Sequence, residues 1–298
     1  MKTKLIPILA SLMALSLLLS CSKVPSSSEP MGQIVFRTQP ELSVEVLTKA
    51  SVVDQDALVT SGFKVSATTG EAGSESAVWT DVAFSKGAEY FQASGGKWWP
   101  STDPHYHFYA SNFALTHTAG GATVSASNDA DVVCAYLPTP TYNEANTLLF
   151  KHIFARIANV TLTTINGYTV TDISVTITPK TGGTYNLRTG ADQTNGTGWS
   201  DLVSGSPVTI ANTTPGTKAN DLYLVPGTYT VTATWTATKG NYTKTFSNRT
   251  CDIDVVGGAI NSISAQLTGD ASEVVFSVNV TAWGSHDIDL GIYGQQQP

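Results

Sequence analysis

At 298 residues and 41% hydrophobic, the chain is long enough for two packed domains and too apolar for global disorder. Charged residues are only 13%, so Thr, Ser, Asn and Gly must cover the surface, a mix typical of extracellular β-proteins. The formal net charge of −7, with no basic stripe to neutralise phosphates, excludes a nucleic-acid partner.

The chain opens on Lys2 and Lys4, then an apolar run from Ile6 to Ser20 of signal-peptide length. The run ends Leu18-Leu19-Ser20-Cys21, with a small residue directly before a cysteine. That arrangement resembles the bacterial lipobox and implies cleavage before Cys21, with acyl chains on its thiol and on the new N-terminus. Several chains give stable anchoring where one is marginal. Residues 1–20 are thus expected to be a signal peptide, and 21–32, with three consecutive serines and two prolines, a lipidated flexible tether.

Short β-like runs follow at Gln33–Phe36 and Ser43–Leu47. Gly62–Ala67 sets Phe63, Val65 and Ala67 against Lys64 and Ser66, and Trp79–Phe84 and Tyr90–Ala93 are further strands ahead of a Gly95-Gly96 turn. In Lys97-Trp98-Trp99-Pro100 the adjacent tryptophans cannot face the same way on a strand. One would be exposed, as a carbohydrate platform needs, and core packing is the plainer reading. His105 and His107 share a strand face, but with no third ligand in a motif no metal site is assigned. Asp131–Tyr136 is another strand, stopped by Pro138 and Pro140, and the connector Thr139–Thr147 holds the expected domain boundary.

Leu148–Thr163 fits both helical and alternating spacing. The β-rich surroundings favour a strand with a bulge or break near Ala158-Asn159. Beyond it, Ile173, Val175 and Ile177 alternate with polar residues, and Pro226-Gly227 makes a turn. Tyr229, Val231, Ala233, Trp235 and Ala237 then alternate with five threonines in the cleanest half-buried strand of the chain. Lys239-Gly240-Asn241 reads as a turn, Tyr242–Phe246 as the returning strand, and three more strands end near Trp283. Many short strands between Gly, Pro and Asn turns, with no long helix, imply all-β architecture. The expectation is two tandem β-sandwich domains, 33–140 and 141–298.

Chemistry is sparse. GxSxG, HExxH, P-loop and GxGxxG patterns are all missing from the sequence, and Asp and Glu form no evident pair, so neither an enzyme nor a cofactor is expected. With Cys21 lipidated, Cys134 and Cys251 remain. They could form one disulfide in an oxidising compartment, or each could be a small buried apolar residue.

Several segments taken in order resemble one family. They are the lipobox at Cys21, Thr48-Lys49-Ala50 ahead of Ser61-Gly62-Phe63-Lys64-Val65, and Lys97-Trp98-Trp99-Pro100 leading to His107-Phe108-Tyr109-Ala110. Further on come Asp131–Tyr136, Leu149-Phe150-Lys151-His152 with Ala155-Arg156-Ile157, and Val278–Trp283. Together they resemble the fimbrillin (type V pilin) lipoproteins of Bacteroidetes. The resemblance implies sandwiches of transthyretin-like topology and export as a lipoprotein to the outer membrane and cell surface. It implies that a trypsin-like protease cuts at a basic residue after the first strand. Other fimbrial subunits would then be the partners, filling the opened groove by strand exchange. Lys49 stands where the family usually carries its processing arginine, and Arg37 is the only nearby arginine. Ser22-Lys23-Val24 lacks the acidic cluster that often accompanies surface export, and the tail Gly291–Pro298 offers no evident donor strand. The alternative to a cut stalk subunit is an uncut surface lipoprotein, serving as an anchor or tip, or as an adhesin for a host or bacterial surface glycan through Trp98 and Trp99. A β-sandwich hydrolase ranks last.

Overall fold

The structure, a computed structural model, describes residues 33–38, 55–87, 90–97, 105–140, 146–163, 167–191, 196–211, 216–267, 274–282, 286–290 and 292–293. The leader, the tether, the run at Ser43–Leu47, Lys49, Trp98 and Trp99 lie outside these residues.

The described chain is strand throughout except for one short helix. It opens with β1 (Gln33–Thr38), helix α1 (Gln55–Ser61), β2 (Phe63–Thr69), β3 (Ser76–Lys86) and β4 (Tyr90–Ala93). Then come β5 (Tyr106–Ser111), β6 (Thr116–Thr118), β7 (Gly121–Ser127), β8 (Val133–Leu137), β9 (Asn146–His152) and β10 (Ala155–Thr163). The next are β11 (Thr169–Ile177), β12 (Lys180–Asn186), β13 (Trp199–Ser204), β14 (Val208–Ala211) and β15 (Gly216–Leu224). The chain closes with β16 (Gly227–Lys239), β17 (Tyr242–Val255), β18 (Ala259–Leu267), β19 (Val274–Ala282), β20 (His286–Leu290) and β21 (Ile292–Tyr293).

The first sheet runs β20-β9-β8-β5-β2-β3-β4-β1-β21, and a further β1–β20 pairing closes eight of its strands into a ring. The ring wraps a core that includes Phe63, Val65, Phe84, Phe91, Phe108 and Phe150. Phe63 is its hub, with ring centroids 4.9 Å from Phe91 and 5.1 Å from Phe150. Helix α1 lends Leu58 to this core and stops at Gly62, whose φ of 70° ends the helix as its amide donates to the Leu58 carbonyl at 2.8 Å. A Cβ at Gly62 would lie 2.3 Å from the Phe84 carbonyl oxygen, so no other residue fits.

A small sheet, β13-β12-β7-β6, makes a second core in which Val124, Ala126 and Tyr185 meet Tyr109 and Cys134 of the ring. The remaining strands form two four-stranded sheets, β15-β10-β18-β19 and β14-β11-β16-β17, whose apolar faces share one core. Val231, Trp235, Ile157 and Ile263 lie in it. In β16 all five apolar positions of the alternation are buried and the threonines face outward, as the pattern requires. The β16–β17 turn is Gly240-Asn241, between the paired Lys239 and Tyr242, with Gly240 at φ 59°. Two sheets draw strands from both sides of residue 140: β9 and β20 complete the ring, and β12 pairs with β7.

The ambiguous stretch after Leu148 resolves into strands with two irregularities. Register slips between Ile157 and Asn159, at the expected bulge. The chain also breaks at Ile153-Phe154, so that β9 and β10 serve different sheets. In the C-terminal tail, Ile292 and Tyr293 form a short strand paired with Ile34 and Gln33 of the same chain.

Candidate functional site

Gln-Ile-Val-Phe-Arg-Thr is rich in β-branched and aromatic residues, a composition suited to a pleated, half-buried strand. As β1 it fills the seam of the ring. On one side Val35, Phe36 and Arg37 pair with Gln92, Phe91 and Tyr90 of β4. On the other, Arg37 and Thr38 pair with Asp289 and Ile288 of β20, and Gln33 and Ile34 with Tyr293 and Ile292 of β21. β20 and β21 meet β1 in a single antiparallel register, as one continuous strand would. β20 is held on its far side by β9, with Ile288 opposite Leu148 and His286 opposite Phe150. Buried side chains stand on either side of the seam, Phe91 on β4 and Leu148 and Phe150 on β9 behind β20, each 0% exposed.

This arrangement has a direct chemical consequence. Without β1, the backbone edges of β4 and of β20–β21 would lose their partners together, next to the apolar core of the ring. Unpaired strand edges and apolar pockets are satisfied best by another extended segment. Arg37 sits inside the seam, paired on both sides, and a protease cannot take its backbone without first opening the ladder.

The other sequence-derived residues do not converge there. Cys134 and Cys251 are both free thiols, and the disulfide left open between them is not made. Cys134 is buried in the second core, where its thiol lies 3.6 Å from the Ser111 hydroxyl. Cys251 packs against the core of the paired C-terminal sheets. Burial pushes the Cys134 thiol up to about 12, against a weaker opposing pull from Ser111. His105 and His107 also separate: His105 lies 3.6 Å from Glu71, whereas His107 faces the Gly70 carbonyl at 3.1 Å and the Tyr136 hydroxyl at 3.3 Å. Among the described residues no group of three or more His, Cys, Asp or Glu could hold a metal ion.

One cluster was not legible in the sequence. Glu75, with a fully buried side chain, accepts hydrogen bonds from Thr68 at 2.5 Å and from Tyr109 at 2.9 and 3.0 Å. Arg188, from the turn after β12, forms an ion pair with the same carboxylate and donates to the Tyr109 hydroxyl at 2.7 Å. Burial raises the Tyr109 phenol well above its ordinary range, with neighbouring Tyr136 adding to it, and burial lowers the Arg188 guanidinium. Asp131 and His152 make a second buried pair, 2.9 Å apart. Glu75 and Arg188 tie the ring to the turn that follows β12, and so act as a brace rather than a reactive centre.

A family model described as fimbrillin-like matches residues 48–283. No curated protein matches the chain. Among solved structures, a fimbrial protein from Bacteroides vulgatus ATCC 8482 is similar at 12% identity and TM-score 0.49, over 77% of this chain and 96% of that one. A candidate cell adhesion protein from Parabacteroides distasonis ATCC 8503 is similar at 12% identity and TM-score 0.47, over 85% of this chain and 97% of that one. Another from Bacteroides eggerthii DSM 20697 is similar at 9% identity and TM-score 0.41, over 87% and 98%.

Proposed function

The chain belongs to the fimbrillin-like family, and from that premise we propose that it is a structural subunit of a surface fimbria. It is exported as an outer-membrane lipoprotein through acyl chains on Cys21. It is assembled by donor-strand exchange with other fimbrial subunits after proteolytic removal of its N-terminal strand. The observation that carries this reading is the place of β1, a short strand that fills the seam of the ring and lies ahead of the family-matched region. Its excision would open one continuous slot without cutting any other described strand. The reading assigns the chain no reaction. N-terminal sequencing and intact mass of protein recovered from cell surfaces test it. A mature N-terminus at Ala50, with oligomer ladders on mild heating, is expected. Only intact, lipid-bearing monomer on assembled cells would overturn it.

One observation favours a second reading, an uncut anchor or tip lipoprotein. Arg37 is locked in the seam, and Lys49 is the only basic residue between it and Lys64. A strictly arginine-specific protease would leave such a chain whole.

A further inference from the structure

The small sheet carries an open groove that the strand-exchange reading does not use. β12 runs between β7 and β13, regular against β7 but with its register against β13 slipping twice, between Lys180 and Gly182 and between Gly182 and Thr184. Bulges of this kind re-aim neighbouring side chains. The middle strand contributes Gly183 and Thr184 to the lining, while β7, the turn after it, and β13 raise the walls. The result is a cavity of about 530 Å³, within the range of small-ligand sites.

Its lining has two chemical characters. Phe113 and Val203 present apolar surface, and Val203 is 56% exposed. Asp129, Asp201, Ser127 and Thr184 present acceptors and hydroxyls. Ser127 donates to Asp129 Oδ2 at 2.9 Å and Ser200 to Asp201 Oδ2 at 3.3 Å, and no described residue donates to Oδ1 of either aspartate. No Lys or Arg is among the described residues that line the cavity.

We infer that this groove is a binding site for a neutral oligosaccharide. The carboxylates accept from sugar hydroxyls, and charge-assisted hydrogen bonds are the stronger kind. Phe113 and Val203 cover the apolar face of a pyranose ring. Two carboxylates without a cation repel sulfated and sialylated glycans, and the apolar walls suit a ring better than a bare ion. The inference does not rest on strand exchange, because none of these groups lies in the seam.

The test is a panel of neutral gluco-, galacto- and manno-oligosaccharides, with sulfated and sialylated counterparts, titrated against the full chain by calorimetry with and without a chelator. Saturable binding of a neutral member, unchanged by the chelator, is expected. The double variant D129N/D201N lowers that affinity about tenfold or more. Val203→Trp, an exposed position that tolerates a large side chain, blocks the groove and keeps the test open if the aspartate variant fails to fold. Four outcomes overturn the inference: no saturable neutral ligand, a preference for the acidic glycans, binding that needs a divalent cation, or affinity unchanged in a folded D129N/D201N or in V203W.

Discussion

Replacing Glu75 by Ala tests whether the brace holds the ring to the turn after β12. The carboxylate is completely buried and bonded to Thr68, Tyr109 and Arg188, whose side chain is 16% exposed. Removing it leaves the guanidinium without its counter-charge in a place from which it cannot easily reach water. Breaking one partner of a buried pair costs about 3–5 kcal/mol. Thr68 and Tyr109 lose their acceptor as well, which places Glu75→Ala at the upper end. For a chain of this size that lowers the melting temperature by on the order of 10 °C. Glu75→Ala with Arg188→Met recovers much of the loss, because it removes the stranded charge. Urea unfolding of the two variants beside the parent, followed by tryptophan fluorescence, supplies the numbers. A loss under about 1 kcal/mol for Glu75→Ala, the value of an exposed pair, would refute the brace.

Cys134 should resist a disulfide reagent in the native chain at mildly alkaline pH and react only on unfolding, whereas Cys251, only partly buried, reacts first. The raised thiol also sets a sign. Its neutral form is kept in the fold up to about 12 but lost in the unfolded chain from 9.0, so stability is intact below that lower value and falls as pH climbs between the two. Cys134→Ala should therefore remove ~1.4 kcal/mol per pH unit of alkaline slope in that window, read from urea midpoints. Trp235→Ala should cost about 3–5 kcal/mol in the same assay, since Trp235 is buried and stacked 5.0 Å from Phe246. Trp235→Phe should cost no more than about 2 kcal/mol, because the indole Nε1 has no hydrogen bond to lose.

What the sequence revealed tracks how local each signal is. β16 was plain because five buried residues alternate strictly with threonine over its length. β7 also alternates, Ala122, Val124 and Ala126 against Thr123, Ser125 and Ser127, but small residues carry too little contrast to stand out. β1 was recognisable as a strand. Its partners were not, since Arg37 meets Asp289 from the far end of the chain and no periodicity encodes so distant a pairing. Glu75 lay in Gly70-Glu71-Ala72-Gly73-Ser74-Glu75, which reads as a solvated turn. Only the fold brings Arg188 to it. The groove was hidden for the same reason, because its aspartates follow or lie within strands separated in sequence and joined through β12.

The same distant pairing narrows where this chain could be cut. Protease sites concentrate at exposed loops, and strand-paired backbone must open first. Arg37 is paired on both sides, and Lys64 lies within β2, between β3 and β5. A cut at either disrupts the ring before it can release β1 cleanly. Between them the sequence offers one basic residue, Lys49. Lys49→Gln should leave the chain at full length on cells that carry the processing protease, and Arg37→Gln should not change the cut site. If the protease reads arginine alone, the parent stays uncut and Lys49→Arg releases a new N-terminus at Ala50. Immunoblots with N-terminal sequencing separate these cases. Processing at Arg37 itself in the folded chain would show that the seam opens freely, and a seam of that kind would hold neither its own strand nor a partner's.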